Sequence, residues 1–186
     1  MDKKVVYLTG FMGSGKSTIG PILANTLGWD FYDLDKIIEN KTGISIKDIF
    51  ETFGEDHFRN LERESLSNIS NQNQIIVSLG GGTIANNQNI ELLKRTGIIV
   101  YLKLSSTSVY KRLENKRDRP VLFSDLGDEF TKEDLLKRIE ELLEKRRMFY
   151  EQADFIIDTD NVSVGKTIDN IAKIIQNELE KKNEKN

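Results

Sequence analysis

Five short runs rich in β-branched and aromatic residues, at 5–9, 31–33, 75–79, 98–104 and 155–158, alternate with longer amphipathic segments. That alternation leaves few architectures open, because strands separated by helical stretches build a parallel sheet covered by crossover helices. Helices are expected near 16–27, 56–68, 90–95, 107–115 and 131–150, with a last one over about 164–179. In the 131–150 segment, Leu135, Ile139, Leu142 and Leu143 recur at helical spacing, and Thr131 with Asp134 resembles a capping pair. Pro21 falls inside the first helix, where the missing N–H predicts a kink. The fold class expected is α/β, in one domain spanning 1–186, a length that buries a sizeable core and leaves little for a second.

Two stretches break the alternation. Residues 36–53 hold short helical pieces punctuated by Thr42 and Gly43, inserted where a simple crossover would suffice, and can form a substrate cap. Residues 116–128 are polar, contain Pro120 and separate two helices without a strand, which suits either a mobile lid or an ordinary surface loop. The charged end, 181–186, is expected to fray.

The phosphate loop carries the strongest chemical signal. Gly10-Phe-Met-Gly-Ser-Gly-Lys16-Ser17 satisfies G-x-x-x-x-G-K-[ST] and lies between a strand and a helix, the context that motif requires. Its glycines let successive backbone N–H groups converge on phosphates, and the following helix presents its positive dipole end to them. Gly13, Ser14, Gly15, Lys16, Ser17 and Thr18 are therefore the expected nucleotide-binding set. Lys16 would reach the β- and γ-phosphates, and Ser17 would give a hydroxyl to a largely hydrated Mg2+.

Composition narrows the partner. With 27 basic and 30 acidic residues the net charge is −3, too balanced for a nucleic-acid or anionic-membrane binder, so a small dissolved substrate fits better. No cysteine is present, which excludes disulfides and thiolate metal sites and permits a reducing compartment, with cytoplasm the default. No apolar stretch approaches the roughly 20 residues that span a bilayer, so neither export nor membrane insertion is expected.

A nucleotide switch is the competing class. Asn115-Lys116-Arg117-Asp118 matches the N-K-x-D pattern used to read guanine, but it follows a helix rather than a strand, and no D-x-x-G lies between Lys16 and Asn115. The match is accidental on that reading.

The acceptor side is marked by three features. Asp33 and Asp35, read as the end of the second strand, would point the same way at the carboxyl edge of the sheet, where the phosphate loop also sits. One carboxylate can help hold hydrated magnesium and the other can take the proton of an attacking hydroxyl, or one of them can cap the following helix. Gly80, Gly81 and Gly82 are three consecutive glycines, which allow close backbone approach to a ligand. Arg59 can bind a carboxylate in bidentate fashion with Glu62 orienting it, although such a pair at helical spacing is more often a surface ion pair. His57, the only histidine, reads as an incidental surface residue.

Taken together these motifs resemble the shikimate kinase family. The carried set runs over about 4–160: the phosphate loop, Phe31-Tyr-Asp33-Leu-Asp35, Ile49-Phe50 followed by Phe58-Arg59-Asn-Leu-Glu62, Ser78-Leu-Gly80-Gly81-Gly82, Arg119-Pro120-Val-Leu122, and Arg146 four residues before Tyr150. The resemblance implies a five-stranded parallel sheet between helices, like the P-loop nucleoside monophosphate kinases, with a substrate-binding insertion at about 34–62 and a lid at about 116–128. It implies that Asp35 contacts the substrate hydroxyls and acts in catalysis with Lys16 and Arg119. Arg59 and Arg146 would hold the substrate carboxylate, with Gly81 and Gly82 adding backbone contacts. Asp33 would support magnesium through water, and Arg119 would close over ATP, with Arg117 a weaker candidate. Arg147 stands beside Arg146, and counting back from Tyr150 selects Arg146. Met148 occupies a position where the family often has proline. The activity implied is ATP-dependent phosphorylation of shikimate by a monomer. A P-loop kinase for another sugar acid such as gluconate is the nearest alternative.

Overall fold

The computed structural model describes residues 5–114, 122 and 130–183. The expected lid lies outside these apart from Leu122, and so do Arg117, Arg119 and the guanine-type match at 115–118. The elements in chain order are β1 (Val5–Thr9), α1 (Lys16–Leu27), β2 (Asp30–Asp33), α2 (Leu34–Thr42), α3 (Ile46–Ile69), β3 (Ile75–Ser78), α4 (Asn87–Thr96), β4 (Gly97–Lys103), α5 (Ser106–Leu113), α6 (Lys132–Tyr150), β5 (Phe155–Asp158) and α7 (Val164–Asn183). All the strands join one parallel sheet ordered β2-β3-β1-β4-β5. Helices cover both faces, which is the fold class the alternation predicts.

The period of two along each strand sorts the core. Val5, Tyr7, Ile75, Val77, Ile99 and Tyr101 face one cluster, which takes in Leu34, Ile38, Phe58 and Leu66 from α2 and α3. Val6, Leu8, Ile76, Ile98, Val100 and Leu102 face the other, against Ile19 and Leu23 of α1 and Ile168, Ile171 and Ile175 of α7. The inner strands β3, β1 and β4 are therefore buried on both faces and read as near-continuous apolar runs, while the edge strands β2 and β5 are partly exposed. A third cluster joins Phe11 of the phosphate loop to Val109, Leu113, Leu135, Ile139 and the buried Leu122.

Several boundaries differ from the sequence expectation. The helix expected to begin at 56 instead runs back to Ile46, starting on the Ser45 side chain, which accepts from the Asp48 amide. It changes direction at Gly54 (φ 81°, ψ 174°), a backbone conformation that glycine alone adopts without strain. α2 stops at Gly43, whose φ of 73° is the left-handed C-cap. α1 runs without interruption through Pro21. The capping pair on α6 is a reciprocal box, with Thr131 Oγ1 accepting from the Asp134 amide and Asp134 accepting from the Thr131 amide. Among the described residues no helix is long and apolar enough to cross a membrane.

Candidate active site

Chain order sets where the site lies. From β1 the chain crosses to β2 at one edge, and from β3 it crosses to β4 on the other side of β1. The loops after β1 and β3 thus part company at the carboxyl end of the sheet, the switch point where open α/β folds bind ligands. A cleft of about 610 Å3 opens there, lined by the phosphate loop, the glycine triplet, Asp33, Asp35, Arg59 and Arg146.

On the phosphate side, Gly10, Gly13 and Gly15 have φ of 146°, 80° and 99°. Those left-handed or near-extended turns bend the loop around the start of α1, whose N-terminus carries no side-chain cap, while Ser17 and Thr18 are exposed. Backbone amides and the dipole end of α1 are thereby left for an anion. Lys16 Nζ donates to the carbonyls of Gly10 (2.7 Å) and Phe11 (3.1 Å) and to Ser14 Oγ (3.4 Å), which arches the side chain back over the loop. Ser14 itself is buried and lies under the arch.

The two aspartates reach the cleft by a route that corrects the sequence reading. β2 ends at Asp33, so Asp35 is not a strand residue but lies in the first turn of α2. Asp33 Oδ1 accepts from the amides of Asp35 (3.1 Å) and Lys36 (3.4 Å), so the capping alternative falls on Asp33. Asp35 is mostly buried. Burial pushes its carboxyl up to about 6, Asp33, Glu62 and Glu39 add to the rise, and Lys16 opposes it.

Each glycine of the triplet makes room for one charged group. A Cβ on Gly80 would lie 2.9 Å from Asp35 Oδ1, one on Gly81 3.3 Å from Arg146 Nη1, and one on Gly82 2.7 Å from Arg59 Nη2. The space read from sequence as room for a ligand is shared with the cleft's own side chains. Arg59 stacks its guanidinium 5.2 Å from the centre of the Phe58 ring and pairs on both sides. Nε and Nη2 donate to Glu55 Oε1 (3.1 and 2.9 Å), and Nη1 donates to Glu62 Oε2 (2.9 Å). The surface-pair alternative fits only half of this, because Glu55 is 64% exposed while Glu62 is 1% exposed. Arg146 Nη1 donates to the Gly81 carbonyl (3.2 Å), beside the Tyr150 hydroxyl, which donates to the same oxygen (2.8 Å). Arg147 points elsewhere, onto Glu144 and Glu151, with its side chain 62% exposed.

Two lining groups have no counterpart in the sequence expectations. Arg112 of α5 donates to the Gly13 carbonyl at 2.7 Å and borders the phosphate loop. Ile46, at the start of α3, joins Phe50 and Phe58 as the apolar part of the lining. Nothing near Arg112 in the sequence sets it apart from Lys111, and Ile46 is disclosed only once α3 is extended back to its cap. His57 is exposed and packs its ring 5.0 Å from Phe53, outside the cleft.

The donor set suits a hard cation held mainly by water and phosphate. Ser17 offers a hydroxyl and Asp33 a carboxylate on the phosphate side. Among the described residues no group of three or more His, Cys, Asp or Glu forms a protein cage for a metal. Mg2+ dehydrates reluctantly and is commonly held by one or two protein oxygens plus substrate phosphates, so these residues fit it.

Known proteins resemble this chain in sequence and fold. The shikimate kinase family matches residues 12–179. The chain is 46% identical over 175 residues to a shikimate kinase of Chlorobaculum parvum, covering 94% of each. It is 42% identical over 182 residues to that of Chlorobaculum tepidum, covering 98% of this chain and 95% of the relative. The structure of shikimate kinase from Acinetobacter baumannii in complex with shikimate matches with a TM-score of 0.84 at 33% identity over 94% of each chain. That from Bacteroides thetaiotaomicron also gives 0.84, at 31% identity, over 92% of this chain and 98% of its own. A match over nearly the whole chain, joined to a cleft lined by a phosphate loop, a mostly buried carboxylate and two arginines, places this protein in the shikimate kinase family.

Proposed function

We propose that the protein transfers the γ-phosphoryl group of ATP to the 3-hydroxyl of shikimate, yielding shikimate 3-phosphate and ADP in aromatic amino-acid biosynthesis. The observation that carries this reading is one shared cleft: the phosphate loop, the mostly buried Asp35 carboxyl, Arg59 and Arg146 all line it. The acceptor's carboxylate sits between the two guanidinium groups, which orients its ring against the apolar wall of Ile46, Phe50 and Phe58. Asp35 accepts a hydrogen bond from the reacting hydroxyl and takes its proton as the phosphoryl group transfers. Lys16 swings from its loop carbonyls to the β- and γ-phosphate oxygens and neutralises the charge they carry. Ser17 directly, and Asp33 through water, would hold Mg2+, which when bound would supply positive charge against the phosphates. Arg119 completes the ATP side when the lid closes and excludes water. The protein works as a cytoplasmic monomer.

ADP release measured against a panel of hydroxy acids tests the reading. Shikimate is expected to support turnover and gluconate to support little or none. ADP release that no hydroxy acid stimulates would overturn it in favour of a nucleotide switch. Arg146 and Arg147 separate further. Arg146→Ala is expected to raise the KM for shikimate tenfold or more, the loss of roughly 1.5–3 kcal/mol for a charge-assisted contact. Arg147→Ala, on an exposed ion pair, should change it by less than about twofold. Equal losses from both, measured under saturating ATP, would remove the carboxylate clamp from Arg146.

A further inference from the structure

We infer that Thr83 is a positioning residue that aims Arg59 at the acceptor carboxylate, acting through Glu62. This inference rests on the shikimate kinase reading. Glu62 is the fixed member of the two carboxylates that flank Arg59. It is 1% exposed, its Oε2 accepts from Arg59 Nη1 at 2.9 Å, and its Oε1 accepts from Thr83 Oγ1 at 2.6 Å. The Thr83 hydroxyl is fully buried and spans 21 residues of sequence to reach it.

The geometry explains why a hydroxyl is needed there. A buried carboxylate left with one lone-pair direction unfilled pays for its lost hydration, and a short charge-assisted hydrogen bond offsets that cost. The bond also fixes the rotation of the Glu62 carboxylate, and therefore the side on which Arg59 Nη1 is drawn. The other partner, Glu55, is 64% exposed and cannot fix the guanidinium so firmly. Thr83 is itself held from behind, because the buried Asn89 donates from Nδ2 to the Thr83 carbonyl at 2.8 Å. A chain of contacts thus runs from α4 through the glycine loop into α3 and ends on the guanidinium. Gly80 lies at its centre, since a Cβ there would approach Thr83 Oγ1 (3.1 Å), Glu62 Oε1 (3.4 Å) and Asp35 Oδ1 (2.9 Å) together.

The test is Thr83→Val, which keeps the shape and removes the hydroxyl, with Thr83→Ser as the rescue that restores it. Thr83→Val is expected to raise the KM for shikimate roughly tenfold, with kcat and the KM for ATP within about twofold of wild type. Thr83→Ser should return the KM to within about threefold. Against a shikimate analogue whose carboxylate is an amide, wild type and Thr83→Val should perform alike. A purely structural role would depress all parameters together and would penalise acid and amide equally, and that result overturns the inference. A wild-type KM for shikimate in Thr83→Val overturns it as well. Failure of wild type itself to phosphorylate shikimate would sink the functional reading, a distinct outcome visible before any variant is made. If the valine variant does not fold, Thr83→Ala removes the same hydroxyl without setting a methyl against the carboxylate, and the same comparison decides.

Discussion

Asp35→Asn is expected to lower kcat by about a hundredfold or more while making the folded protein more stable at neutral pH. The first half follows from chemistry, because an amide keeps the shape of the carboxylate but cannot accept the proton of the attacking hydroxyl. The second half follows from the environment. Burial, with Asp33, Glu62 and Glu39 nearby, raises the Asp35 carboxyl from 3.8 to about 6. The folded state therefore binds this proton more tightly than the unfolded chain does. Stability falls as pH rises through the window from 3.8 to about 6 and stays reduced above it. At pH 7 the cost is on the order of 2 to 3 kcal/mol, which asparagine does not incur, so the melting temperature should rise by roughly 5 °C. For the wild type, kcat/KM should fall as pH drops through about 6, where Asp35 gains its proton. Calorimetry and a pH–rate profile check both halves. A variant with wild-type kcat and a raised KM alone would reduce Asp35 to a binding group.

Lys16→Ala should lower kcat by about a thousandfold, the scale on which removing a preorganised charge from developing phosphate charge is felt. The fold should survive. Lys16 donates to the Gly10 and Phe11 carbonyls and Ser14 Oγ of its own loop and belongs to none of the apolar clusters. The variant carries a second signature. Lys16 is the charge that holds the Asp35 carboxyl down, so its removal should shift the acid limb of the residual pH profile upward. Wild-type turnover would remove Lys16 from the phosphate site. Loss of turnover without movement of the acid limb would mean that Lys16 does not act on Asp35 across the cleft.

What the sequence disclosed depended on how locally each feature is encoded. The strands were legible because both faces of a parallel sheet are buried, which makes Val5 to Thr9 and Ile75 to Ser78 stand out as apolar runs. The phosphate loop was legible because its chemistry lies within eight consecutive residues. Asp35 lines the cleft by a route the strand period does not imply, since β2 ends at Asp33 and the cap there starts α2 at Leu34. The kink at Gly54 concealed how far back α3 extends, because glycine in a helical pattern reads as a terminus. Glu62 and Thr83 meet across 21 residues, and no spacing rule in a single sequence reports such a pair. Arg112 reaches Gly13 across a still longer separation.

The glycine wall at Gly80, Gly81 and Gly82 also bears on how the site can change over time. The space a side chain would occupy is already taken by Asp35, Arg146 and Arg59, the groups to which the proposed reaction assigns acceptor-side roles. Narrowing the cleft at this wall means unseating one of them, so drift toward larger residues is penalised through activity before it is felt in folding. An inhibitor designed to lean on these backbone atoms would accordingly leave few routes of mutational escape, whereas one leaning on Ile46 or Phe50 would meet side chains that can be exchanged for others of similar bulk.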